Sequence, residues 1–555
     1  MSTANRPWVD RYPTGVPRDP PASPFRTLPE MVEASASKFG ARAAYCNFGV
    51  EMSFAQTRAL ARDFAAYLQN RLGVHKGDRV AVMMPNILDY PIAMFGILEA
   101  GAIVVSVNPL YTARELEHQL KDSGTSVLVI HEGACSRLQE VIAHTPVRHV
   151  LVASIGGRLG FPKGLLIDFV VRHVKKMVPA WELPQAIRMS DAVKAGKGLA
   201  FTAPPLETGD VAFLQYTGGT TGVSKGAALT HGNILAQLAM AEVFLPGAMD
   251  GKDEVVVAAL PLYHILALVL VGIMGFRKGA MLLMITNPRD IPGFVKTLKQ
   301  RPPTFFVGVN TLYNALANHP QIGEVDFSKL RFSGGGGAPL QLAVAQRWKA
   351  ITGRTLIEGY GLTEVTGAMT MNAPTIAEHT GTAGFPLPGV DVEIRNPEGV
   401  ALPLGETGEV CTRSACVMRG YWQRPEETAK AIGPDGYFAT GDIGTITPEG
   451  LLKIVDRLKD MVLVSGFNVY PNEIEEVLAA HPGILEAAVV GVPDASTGEA
   501  VKAVVVRKDP KLDAESVIAH CRASLTGYKV PKLVEFRDTL PKTPIGKILR
   551  RELRG

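Results

Sequence analysis

The segment Tyr216–Gly226 reads YTGGTTGVSKG and lies between two apolar runs. A glycine-rich loop lets backbone N–H groups come close to an anion. Hydroxyls and an ammonium add charge-assisted donors. By composition, Thr217, Gly218, Gly219, Thr220, Thr221, Gly222 and Lys225 make a cradle for a polyphosphate. The spacing is not that of a P-loop, because Gly-x-x-x-x-Gly-Lys is absent. A plain surface turn is the alternative.

Four further clusters carry groups that suit a nucleotide. Tyr360-Gly361-Leu362-Thr363-Glu364 offers a ring, a hydroxyl and a carboxylate. Glu364 is either a hard oxygen ligand suited to Mg²⁺ or a helix-start carboxylate paired with the macrodipole. Asp442, after Thr440-Gly441, can accept two ribose hydroxyls or close an Asx-turn. Gly335, Gly336 and Gly337 in SGGGGAP can let a flat base lie against backbone, although Gly-x-Gly-x-x-Gly is not matched. Lys547, in PKTPIGK, is by default a solvated tail charge, and His264, in PLYH, by default a core histidine.

The elements that must hold these groups alternate. Strand patterns at Arg79–Met84, Ile103–Val107, Ser126–Ile130 and Val211–Gln215 are separated by helix patterns at Ile87–Gly101 and Ala113–Ser123. This predicts parallel sheets covered by helices. A helix capped by Thr230 follows the glycine loop, and the rhythm returns from Met281 to Glu358. After Gly381 short strands between Pro/Gly turns predict a β-rich subdomain, with strands at Val390–Arg395, Gly408–Arg413, Gly436–Asp442 and Leu451–Val455. The tail predicts a small α+β domain: helices at Asn472–Ala480 and Asp513–Leu525, strands at Leu485–Val492, Val501–Arg507 and Leu533–Phe536. The fold class is therefore α/β, a large N-terminal domain and β-rich subdomain with a small C-terminal α+β domain. The pattern changes after Asp456, which divides a large domain at 1–456 from the tail.

In their order, these motifs resemble the adenylate-forming family of acyl-CoA ligases, luciferases and peptide-synthetase adenylation domains. The resemblance runs from about Tyr12 to the last residue. PLYHILAL, ITNPRDIPG, DRLKDMVLVSGFNVYPNEIEEV and LTGYKVPKLVEFRDTLPKTPIGKILRREL are most similar to the bacterial long-chain fatty-acid–CoA ligases.

The resemblance implies a Mg²⁺-assisted enzyme that joins a fatty acid to AMP from ATP, releases pyrophosphate and passes the acyl group to coenzyme A. It puts the loop from Thr217 to Lys225 on the β- and γ-phosphates, with Ser224 where the family usually has proline. Thr363 falls on the α-phosphate, Glu364 and Thr221 on the metal, Tyr360, Gly361 and Gly335–Gly337 on adenine, Asp442 on the ribose, and Arg457 on the ribose or a phosphate. Lys547 becomes the adenylation lysine, Lys459 the hinge, and Gly466, Phe467 and Asn468 the loop that replaces Lys547 at the thioester step. The resemblance also implies a hinge at 457–461 and a mobile small domain at 462–555. His264 falls near the acyl carboxylate, and Leu268 where some relatives carry a tryptophan gate. Gly308, Val309, Leu312 and the 265–276 run either line an alkyl tunnel or are core. The alternatives are a medium-chain or aryl acyl-CoA ligase, or a catalytically silent nucleotide-binding protein on this fold. A carrier-linked adenylation domain and a fatty-acyl-AMP ligase fit less well, because no carrier domain follows Gly555 and no long insert follows Asp442.

Bulk properties narrow the rest. A chain of 555 residues exceeds one ordinary core. A net charge of +4 is too small to argue for nucleic acid. The cysteines Cys46, Cys135, Cys411, Cys416 and Cys521 show no metal spacing and fit a reducing, cytoplasmic setting. The N-terminus has no apolar signal region. Leu266–Phe276 is apolar but too short to span a bilayer, and reads as a buried helix. Gly164–Val178, GLLIDFVVRHVKKMV, has Leu165, Phe169, Arg172 and Lys176 at helical spacing. It is either a packed peripheral helix or one that touches anionic lipid on the cytoplasmic face. A homodimer is compatible with the sequence but not written in it.

Overall fold

The computed structural model describes residues 6–217, 224–251, 253–465, 467–494, 496–543 and 546–554. Two large sheets form its body. The first runs, in spatial order, through Gly420–Tyr421, Lys225–Thr230, Val211–Thr217, Ile103–Ser106, Arg79–Met83, Val127–His131, His149–Ala153 and Ile187–Arg188. The second runs through Phe385–Pro386, Thr370–Met371, Leu356–Tyr360, Phe332–Gly335, Phe305–Gly308, Val255–Ala258, Met281–Met284, Ala43–Asn47 and Val50–Ser53. Their central strands are parallel. Helix Asp89–Glu99 is buried along its whole length. That suits a helix apolar all round. The Asn86 side-chain amide just before it donates to Ala258 O and Leu260 O, and Tyr90 Oη donates to Leu262 O.

An antiparallel sheet follows, Asp391–Arg395, Gly408–Arg413, Phe438–Ile446 and Leu452–Arg457. The tail builds its own sheet from Phe467–Val469, Val462–Val464, Gly498–Arg507, Ile484–Asp494 and Leu533–Arg537. Ile474, Leu478, Val489, Val505, Val517 and Cys521 form a separate core beneath it. The α/β class and the α+β tail agree with the reading above.

Three local readings change. Lys225–Thr230 is a strand, antiparallel to Val211–Thr217, and helix His231–Phe244 begins one strand later. Thr230 still caps that helix, with Asn233 completing the box. Leu266–Phe276 is helical and buried, but Ala267–Ile273 winds as a π-helix. The helix in the basic insert spans Lys163–Phe169 and continues as a π-turn to Val174. It packs on the body through Ile167 and Val171, while Leu165, Leu166 and Phe169 are exposed and the half-exposed Arg172 pairs with the buried Glu132.

Candidate active site

The carboxyl ends of parallel strands from both sheets open onto one cavity of about 2380 Å³, as expected for ligand sites in open α/β sheets. Its walls include Thr217, Lys225, Gly335, Tyr360, Asp442 and Lys547, which are far apart in sequence.

The strand pair Val211–Thr217 and Lys225–Thr230 sets the first wall. Thr217 pairs directly with Lys225 across its strands. The Tyr216 ring covers Gly226, where a Cβ would stand 3.0 Å from the ring. Lys225 Nζ pairs with Glu427 and lies 5.0 Å over the Tyr421 ring. Gly218, Gly219, Thr220, Thr221 and Gly222 lie outside the described residues.

The second wall follows Leu356–Tyr360. Thr363–Val365 is a single 3₁₀ turn, closed by Thr366 at φ +62°. There is no α-helix here, so a macrodipole partner for Glu364 is ruled out. Thr366 Oγ1 donates to Cys416 O at 2.6 Å and fixes the turn. Tyr421 Oη donates to Glu364 Oε1 at 3.0 Å, and burial raises the carboxyl's pKa. Gly361 is required by close approach, since a Cβ there would lie 1.7 Å from Gly367 O.

The third wall is antiparallel. Asp442 and Arg457 are register partners. Arg457 Nε stands 3.1 Å from Asp442 Oδ1, and Tyr360 Oη donates to Oδ2 at 2.5 Å. Asp442 is thus a side-chain acceptor held from two directions and not merely a turn former.

The tail brings in a cation. Thr543 N donates to Lys547 O at 2.7 Å, and Gly546 O accepts from Thr311 Oγ1 at 3.1 Å, which ties the tail turn to the large domain. Burial first, then the Arg457 charge, lowers the Lys547 pKa to about 8, against the pull of Asp442 and Asp460. His264 is half-buried, with its Nδ1 out of contact with water. Burial and then the Lys547 charge push its pKa down to about 4, and its Nδ1 has no hydrogen-bond partner among the described residues. Lys547 is therefore not a solvated tail charge.

Beyond His264 the cavity continues between Leu245, Leu266, Leu270, Met274, Phe305 and Phe332. This is an apolar arm. Val309 lines the cavity, but Gly308, Leu312 and Leu268 are not among its described lining residues. Leu268 is fully buried in core, so that position does not gate the arm.

Lys459 is part-buried, and burial with the Arg457 charge lowers its pKa. Arg554 donates to its carbonyl at 3.3 Å. Phe467 and Asn468 stand away from the cavity walls, with Phe467 55% exposed and stacked on Tyr528 at 4.7 Å. Gly466 lies outside the described residues.

Sequence reasoning missed several partners. Tyr421 and Glu427 join Lys225 to Glu364. Glu358, two residues before Tyr360, lies 3.8 Å from His379 Nε2 and is raised by burial to about 8. Arg550 contacts Asp456 and Glu475 at 3.3 and 2.8 Å and lies 3.7 Å from Asp460. Only Arg550 leaves a trace in sequence, as a basic residue three positions after Lys547.

Known proteins match along the same lines. A model described as AMP-binding enzyme covers residues 32–422, and one described as AMP-binding enzyme C-terminal domain covers 473–547. The chain is 50% identical to a long-chain-fatty-acid–CoA ligase of Escherichia coli O6:H1, over 99% of this chain and 97% of the relative. It is 51% identical to the Yersinia pestis protein of the same name, with the same coverage. Among solved structures, an anthranilate CoA ligase in complex with anthranoyl-AMP superposes with a TM-score of 0.84 at 25% identity, over 96% of this chain and 97% of the other.

Proposed function

The chain belongs to the AMP-binding enzyme family, and from that premise we infer that it is an ATP-dependent long-chain fatty-acid–CoA ligase. The observation that carries the reading is the convergence, in one cavity, of the half-buried Lys547, the Asp442–Arg457 pair and an apolar arm beside His264.

A carboxylate is a poor acyl donor because its oxygen is a poor leaving group. Fatty acids are ionised near pH 7, where a carboxyl has a reference pKa of about 4.3, so attack on ATP needs no general base. In the first half-reaction the carboxylate oxygen bonds to the α-phosphorus and the bond to pyrophosphate breaks. The requirement is charge stabilisation and alignment. The Thr217–Lys225 loop holds the β- and γ-phosphates, Thr363 the α-phosphate, and Tyr360 with the glycines the base. Asp442 and Arg457 hold the ribose. Lys547 bridges the acyl carboxylate and the α-phosphate. In the second half-reaction the thiol sulfur of CoA bonds to the acyl carbon and AMP leaves.

No group of three or more candidate ligands occurs among the described residues. That fits Mg²⁺, which takes one or two carboxylates plus substrate phosphates and water. Glu364 would hold it, with Thr221. When bound, the ion neutralises phosphate charge.

The same reading has Lys459 as the hinge that exchanges Lys547 for the Gly466–Asn468 loop. It also places the enzyme in the cytoplasm, in contact with a membrane, since long-chain acids partition into lipid. A homodimer is compatible with it. The deciding experiment is pyrophosphate release with acids from acetate to stearate and with aromatic acids, with and without CoA. Release that is greatest with aromatic or short acids would replace the long-chain reading by an aryl or medium-chain one. No release with any acid would favour the silent nucleotide-binding protein.

A further inference from the structure

Helix Lys163–Phe169 and its continuation to Val174 are built inside out. An amphipathic surface helix ordinarily turns its apolar stripe to the core and its charges to water. Here Asp168 faces in, accepting from Ser154 Oγ at 2.8 Å and from Gly156 N at 2.7 Å. Arg172 Nε donates to the buried Glu132 at 3.0 Å. Gly164 meets Gly156 backbone to backbone: a Cβ on Gly156 would lie 2.1 Å from Gly164 O. The mounting is therefore close and largely polar, with only Ile167 and the buried Val171 adding apolar contact to the body.

The outer face is apolar. Phe161, Leu165, Leu166, Phe169, Val174 and Met177 are 88%, 67%, 63%, 56%, 66% and 51% exposed. They make up six of the seventeen exposed large apolar side chains among the described residues. Scattered exposed leucines need no cause, but a contiguous patch of this kind marks an interaction surface. Lys175 and Lys176, both exposed, stand beside it. The helix is short, and no helix of the described residues is long and apolar enough to cross a membrane.

We propose that this inside-out helix is a membrane anchor: it lies in the plane of a bilayer, seats its apolar face among the acyl chains, and sets Lys175 and Lys176 on anionic headgroups. An apolar convex face flanked by cations complements that interface. Arg172 takes no part, because its charge is spent on Glu132. The anchor goes beyond the ligase reaction and needs neither ATP nor acid, so vesicle binding and catalysis can fail separately.

The test is flotation of the full chain with phosphatidylglycerol vesicles and with phosphatidylcholine vesicles, at low and high salt. The wild type floats with both, more strongly with the anionic lipid. Leu166→Ser/Phe169→Ser lowers partitioning on both by roughly tenfold or more. Lys175→Glu/Lys176→Glu removes only the salt-sensitive excess on phosphatidylglycerol. Val400→Ser/Leu404→Ser, at exposed apolar positions elsewhere, changes nothing. Phe169→Trp reports insertion directly, through quenching of the new indole by brominated acyl chains. The proposal is overturned if Leu166→Ser/Phe169→Ser floats like wild type, if wild type does not float at all, or if the indole of Phe169→Trp is not quenched. It is equally overturned if the apolar double variant only converts a dimer to a monomer, since the patch would then be a protein interface.

Discussion

Replacing Lys547 by alanine tests the proposed reaction most sharply. The ammonium is buried against Arg457 and within the field of Asp442, so its charge acts where water screens poorly. A unit charge about 4 Å from a phosphate oxygen, at an effective dielectric constant of about 20, interacts by about 4 kcal/mol. Lost in the transition state alone, that is a factor of roughly 10³ in rate. The Asp442–Arg457 pair stays in place, so ATP binding should change far less. Two assays separate the steps: pyrophosphate release from acid and ATP, and thioester formation from supplied acyl-AMP and CoA. Lys547→Ala should lower the first by roughly 10²–10³ and leave the second within about threefold. The pH profile adds a sign. Burial holds the free-enzyme pKa at about 8, so the ammonium is present below that value and is lost as pH rises through it. Wild-type kcat/KM for adenylation should therefore fall above about pH 8, and Lys547→Ala should lack that limb. Equal losses in both half-reactions, or a loss below about tenfold in the first, would refute the assignment.

Three further outcomes follow from the same geometry. Glu364→Gln keeps the Tyr421 contact but removes the charge, so the Mg²⁺ concentration needed for half-maximal pyrophosphate release should rise; an unchanged titration curve removes Glu364 from the metal site. Glu358 is raised by burial to about 8, above its ordinary value, so its contribution to stability is complete below about pH 4.5 and is lost as pH climbs through 8. Thermal melts of Glu358→Gln should lack the wild-type decline between those values, and parallel curves would count against a buried neutral acid. Lys459→Pro should slow thioester formation more than adenylation, measured by the same two assays, if Lys459 absorbs the rotation of the tail.

Much of the architecture was legible because local signals agreed with it. Ala113–Ser123 was bounded correctly by Thr112 and Gly124, a capping box at one end and a left-handed glycine at the other. The strand Lys225–Thr230 was not legible. Its KGAALT is small and weakly β-forming, and it is held by pairing on both edges, with Val211–Thr217 and with Gly420–Tyr421. The same limit applies to the site. Motif residues could be named one by one, but Lys225–Glu427 and Tyr421–Glu364 join segments far apart in the chain, and no spacing announces them. Arg172 is a related case: helical spacing sets it with Leu165, Phe169 and Lys176, and nothing in that spacing announces its pairing with the buried Glu132.

The long-range pairs also say which half-reaction this arrangement serves. On the proposed roles, Lys547 must be in the cavity for adenylation and out of it for thioester formation. Here it is in, and Phe467 is out against Tyr528. What holds it there is concentrated at the joint. Arg550, three residues beyond Lys547, reaches Asp456 on the last strand of the antiparallel sheet and Glu475 in the small domain, with Asp460 of the proposed hinge 3.7 Å away. Asp456 in turn accepts from Asn472 N at 3.0 Å, at the start of helix Pro471–Ala479. Rotation about residues 457–461 would separate Asp456 from both Asn472 and Arg550. Glu475 moves with Arg550, so the group that loses its cation is the buried Asp456, and a buried charge without its partner is costly. On the proposed roles, the adenylation arrangement is therefore favoured by a charge network in the cavity wall at the joint, and the second arrangement must supply new partners for Asp456 before CoA can react.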